Sequence, residues 1–125
     1  MYAGSCLCGK VKYAIYGELD DASHCHCTMC QKAHGAAFGS YANTARSAFR
    51  FTEGAEYVAS YTSSPMVQRT FCSVCGSTLQ WMTDNKSEVL SVALGTLDTP
   101  YRTPVRKHIY VDTKAPWNDL PSDDG

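Results

Sequence analysis

Seven cysteines fall in three tight clusters, and these constrain the chain more than anything else in it. They read CLC at 6–8, CHCTMC at 25–30 and CSVC at 72–75, with none left over. An odd number cannot pair off into disulfides, and clustered thiols in a reducing compartment serve metal binding or thiol chemistry.

In CSVCG, two residues between the cysteines let both sulfurs face one ion, and the following glycine permits the tight turn behind them. That motif supplies two ligands; CLCG, also followed by glycine, supplies another pair. An extended Cys-x-Cys would turn its thiols to opposite sides, so CLC must bend. Cys6, Cys8, Cys72 and Cys75 would then make a closed four-sulfur site. A clip that closes so long a loop stabilises a small β domain most. Two unrelated buried cysteine pairs are the bland alternative. A thioredoxin-like role lacks its βαβ pattern, and the spacings match no ferredoxin run.

Cys25, Cys27 and Cys30 remain. Three thiolates leave one corner of a zinc tetrahedron, completed by histidine in a closed site or kept for water or substrate in an open one. His24 and His26 alternate with the cysteines and are poorly placed to close it. His34 reaches if its segment is helical. His108 could come from anywhere, though its default is a strand histidine without a ligand role. The open site is the favoured reading, against a second structural zinc or a redox-sensing thiol cluster.

The rest of the chain suits a soluble globular fold. Hydrophobic residues make up 44% and charged residues 18%, which argues against disorder. The net charge is −1 and no basic run occurs, so neither nucleic acid nor an anionic membrane is an expected partner. No apolar stretch reaches transmembrane length and no leader pattern opens the chain, so a cytoplasmic location is expected. The 125 residues suffice for one domain, taken as 1–120, with PSDDG at 121–125 as a flexible acidic tail.

Between the clusters the chain reads as short strands. KVKYAIYG alternates, with Val11, Tyr13 and Ile15 on one face and Lys10, Lys12 and Ala14 on the other. AAFGSYA, EYVASYT, VQRTF, TLQWMT, EVLSVALG and KHIYVD carry similar aromatic and β-branched content. Only TMCQKAH, after Cys27, predicts a helical turn or two. The expected fold is mostly β, a small two-sheet sandwich or partly open barrel.

GSCLCGKVKY, CHCTMCQKAHGAAF, FCSVCGSTL and HIYVDTKAPW, in that order, resemble the glutathione-dependent formaldehyde-activating enzyme family, which also includes centromere protein V. The resemblance runs from about Gly4 to Trp117. It implies a mostly-β sandwich stapled by zinc, similar to methionine-R-sulfoxide reductase and translationally controlled tumour protein. It implies a structural zinc on Cys6, Cys8, Cys72 and Cys75, and a catalytic zinc on Cys25, Cys27 and Cys30. The implied activity is carbon–sulfur lyase chemistry on a thiol–aldehyde adduct such as S-hydroxymethylglutathione. Its partner is a small-molecule thiol or thiol adduct, glutathione among them. Ala115, Pro116 and Trp117 match a family signature and are read as packing against the core. The family's glutathione-handling members are longer than this chain, so fold and metal sites carry over further than substrate.

Three thiolates and one zinc ion sum to −1. Such an electron-rich ion acidifies bound water less than one held by neutral histidines, so zinc-hydroxide hydrolysis is not the first expectation. The site suits a thiolate, or the hydroxyl of a thiohemiacetal, in the fourth position. His24, His26 and His34 are candidates to shuttle a proton or donate to a sulfur, and Lys32 to meet an anionic group. The competing readings are a zinc-stabilised binding module and a thiol redox protein without lyase activity.

Overall fold

The computed structural model describes residues 1–84 and 88–120; the expected tail at 121–125 lies outside them. The smaller of two sheets holds β1 (Tyr2–Ser5), β2 (Lys12–Ile15) and β5 (Phe49–Glu53), in the order β1-β2-β5. The larger holds β3 (Asp20–Cys25), β4 (Gly39–Ala45), β6 (Val58–Ser64), β7 (Val67–Cys72), β8 (Thr78–Thr83), β9 (Val89–Ala93) and β10 (His108–Ile109). Its order is β10-β3-β4-β9-β8-β7-β6. Pairing is antiparallel throughout, apart from β10, which runs parallel to β3. The mostly-β, two-sheet expectation holds, and among the described residues neither sheet closes into a barrel.

One apolar cluster joins the sheets. The smaller sheet and the segment leading into β2 contribute Val11, Tyr13 and Ile15; the larger contributes Ala42, Leu79, Leu90 and Val92. Leu79 is fully buried, which stabilises the fold by about 1.5–3 kcal/mol relative to exposure. The predicted alternation of β2 is kept for Tyr13 and Ile15, but Ala14 is buried as well. β2 is the middle strand of its sheet, and a side chain as short as Ala14 is covered from both sides.

Strand alternation gives the larger sheet a second working face. Opposite the core-facing Ala42 and Val92, the register sets Ser23 beside Tyr41, Tyr41 beside Ala93 and Asn43 beside Ser91. The row continues through Trp81, paired with Ser91, to Arg69, paired with Trp81. Cys25 ends β3 on this face, opposite Gly39.

The TMCQKAH segment forms α1 (Thr28–His34). Cys27 is its N-cap, with Sγ accepting a hydrogen bond from the Cys30 N–H at 3.3 Å, and Gly35 ends it in the left-handed conformation. No helix among the described residues is long and apolar enough to cross a membrane.

The reading of Ala115, Pro116 and Trp117 as core packing holds for Ala115 alone. Ala115 is buried, whereas Pro116 is exposed and Trp117 is 72% exposed. The Asn118 N–H donates to the Ala115 carbonyl at 3.1 Å, which makes Pro116 and Trp117 the corner of a turn and points them outward.

Candidate metal centre

CLC is bent, as its spacing required. The Gly9 N–H donates to the Cys6 carbonyl at 3.1 Å with Gly9 at φ +81°, and the Gly76 N–H donates to the Cys72 carbonyl at 2.8 Å with Gly76 at φ +83°. The two knuckles are therefore alike, each closed by a left-handed glycine. They are laced together by Ser77, whose hydroxyl accepts from the Leu7 N–H at 2.9 Å and lies 3.3 Å from Cys75 Sγ.

The sulfurs of Cys6, Cys8, Cys72 and Cys75 all lie within 4.8 Å of one another; Cys6–Cys8 is 3.5 Å and Cys8–Cys72 is 3.9 Å. A tetrahedron with Zn–S of about 2.3 Å has edges of about 3.8 Å, so four thiolates of this spacing fit that ion. The hydrogen bonds from Ser77 pull the Cys75 thiol down to about 5, into the ionised form a ligand needs.

The second cluster is assembled at one joint. Cys25 is the last residue of β3, Cys27 is the helix cap and Cys30 lies in the first turn of α1. Their three sulfurs also lie within 4.8 Å of one another, a second group that could hold a metal ion. The hydrogen bond from Cys30, helped by the charge of Arg69, holds the Cys25 thiol down at about 6 against the effect of burial. The same hydrogen bond and burial push Cys30 up. The trio thus carries negative charge before any metal is considered, and soft thiolates suit zinc.

These cysteines line a cavity of about 470 Å³. Val67, Trp81, Ile109 and Met29 give it apolar surface, and Ser23, Asn43 and Ser91 give it a polar stripe. The stripe runs outward from Ser91, which donates to Asn43 at 2.7 Å, to Asp21, which holds Lys107 in a 2.8 Å ion pair. Asp21 and Tyr110, both lining residues, are non-glycine positions with positive φ, and a third, Met66, adjoins the lining Val67. Such conformations gather at ligand sites.

Two residues that the sequence reading passed over stand beside the trio. Arg69 is only 7% exposed. Its NH1 and NH2 lie 3.9 and 3.8 Å from Cys30 Sγ, NH1 is 3.4 Å from Tyr41 Oη, and Nε donates to Ser63 Oγ at 3.1 Å. Neither ion pair among the described residues involves Arg69, so the trio is its anionic counterpart. Burial works against the charge of Arg69, but its bond to Cys30 and the charges around it prevail and raise its pKa. Tyr41, 7% exposed, packs with Cys25 and Cys30. The available signal was a charged residue at an alternate position of a predicted strand, two after Val67.

The histidines divide. His24 and His26 lie out of phase with Cys25 and turn to the other side of β3. His24 Nδ1 meets Ser40 Oγ at 2.7 Å, and His26 Nε2 meets His108 Nδ1 at 2.8 Å. Alternation therefore removes both as proton shuttles for the cavity. His34 does come to the site, through Tyr41, with Nε2 2.8 Å from Tyr41 Oη. Burial, and then Arg69, hold His34 below the ordinary imidazole value, so it is neutral near pH 7. Lys32 is exposed on α1 and is not a lining residue; Lys107 and Arg69 are the cavity's cations.

The family model described as glutathione-dependent formaldehyde-activating enzyme matches residues 1–113. A Schizosaccharomyces pombe protein named as an uncharacterized lyase is 31% identical over 84 residues, 67% of this chain and 59% of that protein. The match thus spans about three fifths of the curated relative's length. The crystal structure of a Rhodobacter sphaeroides protein superposes with a TM-score of 0.67 at 25% identity, covering 80% of this chain and 91% of that one.

Proposed function

This chain belongs to the glutathione-dependent formaldehyde-activating enzyme family, and from that premise we propose that it is a zinc-dependent carbon–sulfur lyase. Its substrate is a small thiol–aldehyde adduct of the S-hydroxymethylglutathione type, met in the cytoplasm. Cys6, Cys8, Cys72 and Cys75 hold a structural zinc. It staples residues 1–120, as one domain, into a sandwich of the methionine-R-sulfoxide reductase and translationally controlled tumour protein kind. Cys25, Cys27 and Cys30 hold the catalytic zinc.

The observation that carries this reading is a three-thiolate cluster lining a cavity, with a buried guanidinium behind it. Bound at the trio, zinc would supply Lewis-acid stabilisation of an anionic sulfur or oxygen. Arg69 changes the charge count. Three thiolates and a divalent ion leave −1, and the guanidinium brings the buried assembly to neutrality. An incoming thiolate therefore meets no net negative charge. Trp81, Val67 and Ile109 exclude water from the reacting atoms, which strengthens every charge interaction there. The Ser23, Asn43 and Ser91 stripe meets the polar remainder of the ligand.

Zinc content under reducing conditions tests the reading. The parent should hold about two ions per chain and Cys27→Ser about one, still folded. The parent alone should then exchange ¹³C-formaldehyde with its glutathione adduct faster than buffer. A parent that holds a single ion, with Cys27→Ser unchanged, would remove the metal and the lyase together.

A further inference from the structure

Tyr41 stands between two openings. It lines the cavity over Cys25, Cys27 and Cys30. Its Oη also lies 2.8 Å from His34 Nε2, and His34 lines a separate depression with Ala33, Phe38 and Ser40. The rings meet edge to face, with centroids 5.3 Å apart at 77°. Gly39 makes this seat: a Cβ there would collide with the His34 ring.

Arg69 joins this line of hydrogen bonds as a donor only. A guanidinium only donates, so Tyr41 Oη accepts from NH1 at 3.4 Å. Tyr41 keeps a single hydroxyl proton, and His34 Nε2, at 2.8 Å, is within reach to take it. That donation needs His34 in the tautomer with hydrogen on Nδ1, for which no protein acceptor stands among the described residues. Tyr41 is thus the cavity-side member of a two-member hydrogen-bonded line whose other member, His34, lines the separate depression.

We infer that Tyr41 is a catalytic acid–base group of the proposed reaction and that His34 carries its proton to and from solvent outside the cavity. The inference rests on the lyase reading above. In the cleaving direction, the hydroxyl proton of the adduct passes to Tyr41 Oη as the tyrosine proton passes to His34 Nε2. The electron pair of the broken O–H bond forms the carbonyl. The carbon–sulfur bond breaks with its pair on sulfur, giving aldehyde and thiolate. His34, now an imidazolium, releases a proton from Nδ1 to solvent, and proton exchange with solvent returns the ring to its Nδ1–H tautomer before the next turnover. The synthetic direction reverses each transfer. No oxidant or reductant enters.

The first test needs no variant and no substrate. In ¹⁵N-labelled zinc-loaded protein, long-range ¹H–¹⁵N correlation should show His34 with hydrogen on Nδ1 and Nε2 as acceptor. The opposite tautomer would overturn the relay and leave the lyase reading standing. The second test is kinetic. His34→Ala and Tyr41→Phe, each checked for folding and parental zinc content, should lower kcat by about 100-fold with KM little changed. Added imidazole should restore part of the rate of His34→Ala and none of that of Tyr41→Phe. A zinc-replete His34→Ala within twofold of parental kcat would overturn the relay alone. A parent without turnover on any adduct would sink the lyase reading and the relay with it.

Discussion

Replacing Cys8 or Cys27 by serine removes one sulfur from each cluster, and the two losses should differ in a calculable way. Cys8 is exposed, so Cys8→Ser takes no packing from the core. Cys27 caps α1 through its side chain, and serine is itself a good N-cap, so Cys27→Ser keeps the helix start. What remains is the cross-link that an ion at each cluster would provide. The closed site joins Cys8 to Cys72, 64 residues apart; the middle site joins only Cys25 to Cys30. Loop-closure entropy grows as (3/2)RT ln n, so opening the first loop should cost about 2 kcal/mol more than opening the second. For a chain of this size that is a Tm about 8 °C lower for Cys8→Ser than for Cys27→Ser. Urea unfolding of both variants at saturating zinc, with metal content measured alongside, gives the comparison. With excess chelator the gap should close, since neither loop is then tied. A Cys27→Ser variant as unstable as Cys8→Ser at saturating zinc would refute the assignment of one cluster to stapling and the other to chemistry.

Arg69→Met should weaken zinc retention by the middle cluster by about 10- to 100-fold, the equivalent of losing one hydrogen bond to a charged group. Chelator competition that releases one ion early and leaves the other unmoved is the expected result. Leu79→Ala, deep in the core, should cost about 2–5 kcal/mol in urea unfolding and leave the number of bound ions unchanged.

Local chemistry in this chain was legible wherever one residue type forces one backbone. The left-handed glycines after CLC and CSVC follow from the bends those spacings demand. TMCQKAH forms α1 between a capping Cys27 and a terminating Gly35. TLQWMT is β8 at the expected bounds. β1 and β3 were not legible: YAGS and DDASHC lack β-branched residues. β3 exists because β4 and β10 pair with it on both sides. The side on which His24 and His26 fall was equally hidden. Alternation separates them from Cys25, but only the packing of Phe38 and His108 on one side and the cavity on the other tells which is which. Arg69 was only half legible for a similar reason. Its charge at an alternate position of VQRTF is a local signal, but its place beside the trio comes from the β7–β8 register, a tertiary fact.

The same register explains why two cysteine groups of one chain differ in kind. The outer group brings together two turns from distant parts of the sequence, each offering two thiols, so four donors meet from two directions, as many as a tetrahedral ion takes. The middle group is a single passage from the end of β3 into α1, and its three donors come from six consecutive residues. One such segment can present ligands from one direction only. The opposite direction is left to the face of the larger sheet, where the pairing of β4, β9, β8 and β7 sets Tyr41, Trp81 and Arg69. None of these three is a zinc ligand by chemistry: one is a neutral phenol, one an indole and one a cation. The sheet therefore leaves the fourth direction with a wall, a charge and a proton donor where a ligand would otherwise stand. That replacement is what sets the open cysteine cluster of the proposed lyase apart from the closed one.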